Sequence, residues 1–186
     1  GSGKSSLARI LTGVLRPNSG HVWINEGRDA AATADWQRSN VAYLSQSPLA
    51  LNTMTVKESM DFFGRLYRTK SSNKQQKCLL EKLGILRFRN REVRSLSGGQ
   101  SKLVQLAIAI SSNRPFVILD EPTSGMDPPG IQEMRALIRS LADNEGVTII
   151  LASHQLQEVQ RVCDRVAIFN RGKVVAEGRV SELTAS

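Results

Sequence analysis

Gly1-Ser2-Gly3-Lys4-Ser5-Ser6, running straight into the apolar-periodic Leu7-Ala8-Arg9-Ile10-Leu11, leaves few folds open to this chain. The stretch matches the C-terminal part of G-x-x-x-x-G-K-[ST], in which glycines let backbone N–H groups close around phosphate oxygens at a helix start. In that reading Lys4 reaches the β- and γ-phosphates of a nucleotide and the Ser5 hydroxyl sits on Mg²⁺. Six residues alone also fit a Gly/Ser terminus or an ordinary capped helix, so the rest of the chain must complete the site. The motif's first glycine, the two residues after it and the strand leading into it would all precede residue 1. The expectation is therefore an N-terminally incomplete piece of a larger domain.

At 186 residues and 40% apolar content, the chain suffices for one α/β core and not for two ordinary domains. Its longest apolar runs, 116–119 and 147–152, fall far short of the roughly 18 residues of a membrane span. No secretory pattern is present. Cys78 and Cys163 stand far apart without a C-x-x-C, which predicts two free buried thiols rather than a metal site or disulfide. The formal charge of +8 is concentrated: between Arg65 and Arg94, ten Lys and Arg residues face only Glu81 and Glu92. Such a surface suits phosphodiester backbones or an anionic leaflet, and equally a plain solvated helix face. With only Tyr67 and Phe88 among the charges, it lacks the stacking platform that single-stranded nucleic acid uses.

The order of elements is that of an α/β protein. Residues 21–25 alternate as a half-buried strand, 26–39 read as a loop with a little helix, and 41–45 as a short strand before Ser47-Pro48. Apolar residues Val56, Met60, Phe63 and Leu66 mark a helix opened by a Thr55/Glu58 capping box. A second helix over 74–83 stops at Gly84. Ser97 opens a helix with Leu103, Leu106, Ala107 and Ile110 on one face, ending before Pro115. The run 116–119 has the character of a strand buried on both sides of a parallel sheet. Asp127-Pro128 starts a helix to about Asn144 with Asp127 as cap, 147–152 is another buried strand, 155–163 a helix, and 166–169 a strand turning at 170–173 into 174–176. Alternating strands and helices predict a mostly parallel sheet flanked by helices, with ligands at the carboxyl ends of strands.

Asp120 and Glu121 leave the sheet at that edge. An Asp there can hold Mg²⁺, usually through water, and a neighbouring Glu can take the proton of an attacking water; the plainer reading is that acidic residues cap the next turn. Leu96-Ser97-Gly98-Gly99-Gln100 is the sharpest signal. Two glycines in a first helical turn cost up to about 1 kcal/mol each against alanine, and close approach to an anion gives a reason to tolerate them.

Taken together, Gly3-Lys4-Ser5, Gln46, Leu96 to Gln100, residues 116–121, Ser124-Gly125-Met126-Asp127 and His154 resemble the nucleotide-binding domain of ATP-binding-cassette (ABC) proteins. The resemblance covers essentially the whole chain, 1–186, and implies a P-loop NTPase fold with a helical subdomain over 47–100. It implies that Gly1, Ser2, Gly3, Lys4, Ser5 and Ser6 form the Walker A loop, and that Asp120 and Glu121 are the Walker B aspartate and catalytic glutamate. Gln46 corresponds to the Q-loop glutamine near metal and attacking water, His154 to the switch histidine, and residues 124–127 to the D-loop. Ser97, Gly98, Gly99 and Gln100 correspond to the signature that completes the ATP site of a second subunit in a head-to-tail dimer. The implied ligands are ATP and Mg²⁺, held on the metal side by Ser5, Gln46 and Asp120.

Two departures stand out. Met126 replaces the commoner Leu, a volume-conserving change. The adenine-stacking aromatic of the family lies upstream of the loop, and neither Trp23 nor Trp36 takes that role; a core strand residue and a loop packing residue are expected instead, with His21 structural. The chain alone is therefore expected to bind ATP weakly. Residues 53–67 and 124–128 resemble ATPases that serve exporters. That implies a peripheral subunit on the cytoplasmic face of a membrane, partnered by a transmembrane permease and binding no cargo itself. A soluble ABC ATPase acting on nucleic acid or ribosomes is the alternative that the positive charge permits.

Overall fold

The computed structural model describes residues 2–23, 33–45, 53–69 and 71–183. Helix α1 (Lys4–Leu11) starts at Gly3, whose φ of +98° lies in the left-handed region that glycine enters without penalty. One turn in, Ala8 is buried against Val41 and Ile118, which seats the helix on the sheet. Helix α2 (Ala34–Asn40) forms where a mostly irregular stretch is expected, because the Thr33 hydroxyl accepts from the Trp36 N–H and caps its start. Trp36 is thus a helix residue, packed on the Phe116 ring at 5.9 Å. The buried Gln37 amide donates to the Ile10 carbonyl at 2.9 Å and fastens α2 to the end of α1.

Strands β1 (Val41–Leu44), β2 (Phe116–Asp120) and β3 (Thr148–Ala152) form a parallel sheet in the order β1-β2-β3, with Val41 opposite Phe116 and Phe116 opposite Thr148. The central strand is buried from Val117 to Asp120, as its unbroken apolar run predicts. Strand β3 departs from the buried strand expected at 147–152. Thr148 and Ile150 are exposed, because among the described residues β3 pairs on one side only.

Between β1 and α5 (Gly98–Ser111) the described chain is helical. Helix α3 (Val56–Leu66) carries the expected Thr55/Glu58 capping box, and α4 (Asn73–Lys82) has a second one from Ser72 and Gln75. Gly84 ends that arm at φ +68°, and the short 3₁₀ turns Leu86–Phe88 and Val93–Ser95 lead into α5. Helix α5 is buried continuously from Leu103 to Ala109, so it is apolar nearly all round: α3 and α4 cover one side and β1 lies against another. Leu106, Val104, Met60 and Leu80 lose essentially all solvent contact there, each contributing roughly 1.5–3 kcal/mol by transfer.

Helix α6 (Pro128–Glu145) begins with proline and ends at Gly146, φ +64°. Asp127 holds the N-cap position with extended backbone, yet its side chain makes no capping bond. Its carboxylate leans over Gly130 instead, where an added Cβ would lie 2.7 Å from Oδ1. Helix α7 (Leu156–Val162) follows β3. Strands β4 (Arg165–Asn170) and β5 (Lys173–Arg179) then form a separate antiparallel pair before α8 (Val180–Leu183), so the described sheet structure is one parallel and one antiparallel unit. The β4–β5 turn has Arg171 at φ +47° and Gly172 at +77°, the two positive angles of a tight hairpin.

Two burial expectations fail. Cys78 is exposed because α4 turns Gln76 and Leu80 inward, whereas Cys163 is half-buried and its thiol is pushed up by burial; neither is bonded to the other. Trp23 is 58% exposed and stands beside His21, ring centroids 5.8 Å apart, while Val22 between them is half-buried; of the strand expected at 21–25 the described residues show only a single bridge at Trp23.

Candidate nucleotide site

The parallel register of β1, β2 and β3 brings their carboxyl ends to one edge, and α1 packs against β2 and β3 beneath it. Lys4 and Ser5 occupy the first turn of α1, half-buried with Ser2 and Gly3, while Ser6 is exposed. The Lys4 ammonium donates to the Ser2 hydroxyl at 3.2 Å. At Gly3 a side chain would face the Gly172 Cα at 3.7 Å, so backbone angle rather than space reserves the position for glycine. Gly1 and Gln46 lie outside the described residues.

Asp120 ends β2 and is 3% exposed. The Tyr43 hydroxyl, from β1, donates to its Oδ2 at 3.1 Å. Burial, then the Asp120 charge, push that phenol's pKa up, and Arg9 on α1 opposes them, so Tyr43 stands between α1 and Asp120. Glu121 extends the ladder by one bond, its N–H donating to the Ala152 carbonyl at 2.8 Å. Its φ is +52°, a region that costs a non-glycine residue about 1–3 kcal/mol unless the surroundings enforce it. His154 Nδ1 donates to Glu121 Oε1 at 2.8 Å; the histidine is 66% exposed and the glutamate 9%. Glu121 Oε2 is buried without a donor among the described residues. An acceptor left in that state costs about 1–3 kcal/mol, so this oxygen is poised to take a hydrogen bond from something that enters.

Beneath the turn lies a polar layer that sequence reasoning misses. Lys102, the one charged residue of α5, donates to the Glu121 carbonyl at 2.9 Å and the Ser124 carbonyl at 2.5 Å. Burial pushes its ammonium below the ordinary lysine range, against the pull of the Glu121 and Glu158 charges. Glu158, 1% exposed on α7, accepts from the Thr123 and Ser153 hydroxyls. A lone cation in an apolar helix, and an acid one helical turn beyond His154, are the sequence signals that point to this layer.

Ser97, Gly98, Gly99 and Gln100 form the start of α5. Ser97 Oγ accepts from the Gln100 N–H at 3.3 Å and Gln100 Oε1 accepts from the Ser97 N–H at 3.1 Å, a reciprocal capping box. Ser97 and Gly98 are exposed. Nothing lies within 4 Å of a Cβ added at Gly98, and one at Gly99 would meet Met126 at an ordinary 3.5 Å. Neither glycine has positive φ. Nothing among the described residues therefore demands glycine at these positions. The structure thus joins Asp120, Glu121 and His154 at the carboxyl ends of β2 and β3, sets Lys4 and Ser5 in the first turn of α1, which packs on the same two strands, and leaves Ser97 and Gly98 exposed at the start of α5.

Among the described residues no group of three or more His, Cys, Asp or Glu side chains forms a metal cage. Mg²⁺ is commonly held by one or two carboxylates together with waters and substrate oxygens, so it does not require such a cage. Asp120 and Ser5 fit that donor set.

A family model described as ABC transporter matches residues 1–124. The methionine import ATP-binding protein MetN of Carboxydothermus hydrogenoformans is 32% identical over 189 residues, covering 98% of this chain and 56% of that protein. The Nod factor export ATP-binding protein I of Neorhizobium galegae is 33% identical over 180 residues, covering 96% and 51%. The solved structure of cbiO1 from Clostridium perfringens, part of the ABC transporter complex cbiONQ, superposes with a TM-score of 0.85 at 28% identity, over 99% of this chain and 75% of that one. The chain spans about half the length of the curated relatives it matches.

Proposed function

The chain belongs to the ABC transporter family of ATP-binding domains, and from that premise we propose that it binds and hydrolyses ATP as the motor subunit of a membrane transporter. Gly1 to Ser6 cradle the phosphates, with Lys4 as the point charge. Glu121 accepts a proton from the attacking water, and His154 orients its carboxylate. Bound magnesium would neutralise phosphate charge, with Ser5, Asp120 and Gln46 as its protein side. Ser97, Gly98, Gly99 and Gln100 close over the nucleotide of a second ABC domain in a head-to-tail dimer. The helical subdomain, 47–100, passes the closing motion to a transmembrane partner.

The observation that carries this reading is the half-satisfied carboxylate of Glu121. One oxygen is held by His154 at 2.8 Å, and the other is buried with no donor among the described residues, one residue beyond the buried Asp120. That is an acceptor preorganised for a water O–H. No helix of the described residues is long and apolar enough to cross a membrane, so the spanning part of the transporter is another segment or chain. Relatives are named for both import and export; the export direction rests on the resemblance of residues 53–67 and 124–128 and places the subunit peripherally on the cytoplasmic face.

The test uses the full-length protein purified from membranes, as wild type and as Glu121→Gln. The variant should retain ATP, accumulate as a dimer and hydrolyse at least about 100-fold more slowly, the scale of a lost general base. An undiminished rate would move that role to another group. Co-purification of a membrane-spanning partner supports transport, whereas recovery with RNA or ribosomes alone would replace it, and the direction of cargo movement in vesicles decides export against import.

A further inference from the structure

We propose that Lys102 is a positioning residue for Glu121: from the first turns of α5 it grips the backbone on both sides of the catalytic turn and holds the glutamate in its strained, left-handed conformation. This rests on the proposed role of Glu121.

The turn runs from Asp120, where β2 ends, to Ser124, with the Ser124 N–H returning to the Glu121 carbonyl at 3.2 Å. Among the described residues only the bond from the Glu121 N–H to Ala152 continues the sheet ladder here. A glutamate at φ +52° needs more than that to stay put, because the strain favours relaxation of the neighbouring peptide planes. The Lys102 ammonium supplies the restraint. Its two bonds, 2.9 Å to the Glu121 carbonyl and 2.5 Å to the Ser124 carbonyl, pin the peptide plane leaving Glu121 and the one leaving Ser124. Charge-assisted bonds of this kind are roughly twice as strong as neutral ones.

The electrostatics fit the same role. Lys102 is partly desolvated, which costs an ammonium, and the charges that offset this are Glu121 and the buried Glu158. Glu158 in turn accepts from Thr123, inside the turn, and from Ser153, next to His154. Lys102 and Glu158 therefore act on the turn that carries Glu121, and Glu158 also holds Ser153, the residue before His154. Because Lys102 lies about 6 Å along the helix axis from Gly98, its grip also ties the turn to the exposed start of α5.

Lys102→Met keeps the stem and removes the charge; Lys102→Arg keeps a cation and two or more donors. In the full-length protein, Lys102→Met should bind ATP with unchanged Kd and unchanged KM while kcat falls roughly 10- to 100-fold, the effect of a small misplacement of a catalytic group. Lys102→Arg should recover most of that loss. Without nucleotide, amide hydrogen exchange across residues 121–126 should rise in Lys102→Met and return to wild-type values in Lys102→Arg. Unchanged kcat and exchange in Lys102→Met would overturn the proposal. So would equal losses in the Met and Arg variants with a matching fall in melting temperature, the mark of packing alone. Should Lys102→Met fail to fold, Lys102→Gln carries the same comparison. If the wild-type protein hydrolyses no ATP, the functional reading falls, and the exchange comparison still decides whether Lys102 holds the turn.

Discussion

The starts of α1 and α5 both present a positive helix terminus with no acidic residue in the first turn, yet they are built in opposite ways. At α1 the N-cap is Gly3, left-handed and without a side-chain bond, so the first amides receive no internal acceptor from the cap. At α5 the Ser97/Gln100 box closes two of the otherwise orphaned donors before anything else arrives. The difference teaches where each start draws its stability. The first is shaped to be completed by an anion, and the second stands by itself and can serve as a rigid surface offered to a neighbour. Substitutions at α1 should therefore act on binding alone, and substitutions at α5 on binding or folding according to which atom is changed.

Lys4→Ala tests the first half of that contrast and should have the largest effect. ATP affinity should fall roughly 100-fold, the worth of a strong charged hydrogen bond to phosphate, with an unchanged melting temperature because among the described residues the ammonium bonds only Ser2. A variant that melts early but binds normally would make the α1 start as structural as the α5 start. Gly98→Asp probes the second half. The added Cβ meets nothing within 4 Å among the described residues, and a carboxylate in the first turn should stabilise α5 by about 0.3–1 kcal/mol. Hydrolysis by the dimer should nevertheless fall about tenfold through repulsion of a facing phosphate; activity that rises with stability would show that no anion comes near. The smallest effect belongs to Ser97→Ala, which should lower unfolding free energy in urea by about 1 kcal/mol through loss of the cap. No loss would mean the box is not what supports this helix.

What is legible in the sequence follows the range of the interaction. The Thr55 and Ser97 starts, the buried β2 run and the 170–173 hairpin are set by residues a few positions apart, and local pattern exposes them. That Asp120 and Glu121 leave the sheet together at its carboxyl edge also follows from an apolar strand ending in two acids. The layer under Glu121 does not, because Lys102 reaches carbonyls 19 and 22 residues away and Glu158 accepts from a hydroxyl 35 residues away. Such partners become neighbours only when α5 and α7 pack against the same turn. The misplacements of Trp23, Cys78 and β3 share one cause: each residue's polarity is visible in the sequence, but the direction it faces depends on what the fold sets beside it.

The positive φ at Glu121 has a consequence for anyone who engineers this chain. Glycine would be the more comfortable occupant of that backbone position and would relieve on the order of 1 kcal/mol of strain. A selection that rewarded heat resistance alone would thus be drawn toward deleting the carboxylate, and under the role proposed for Glu121 the sturdier protein it returned would be an idle one.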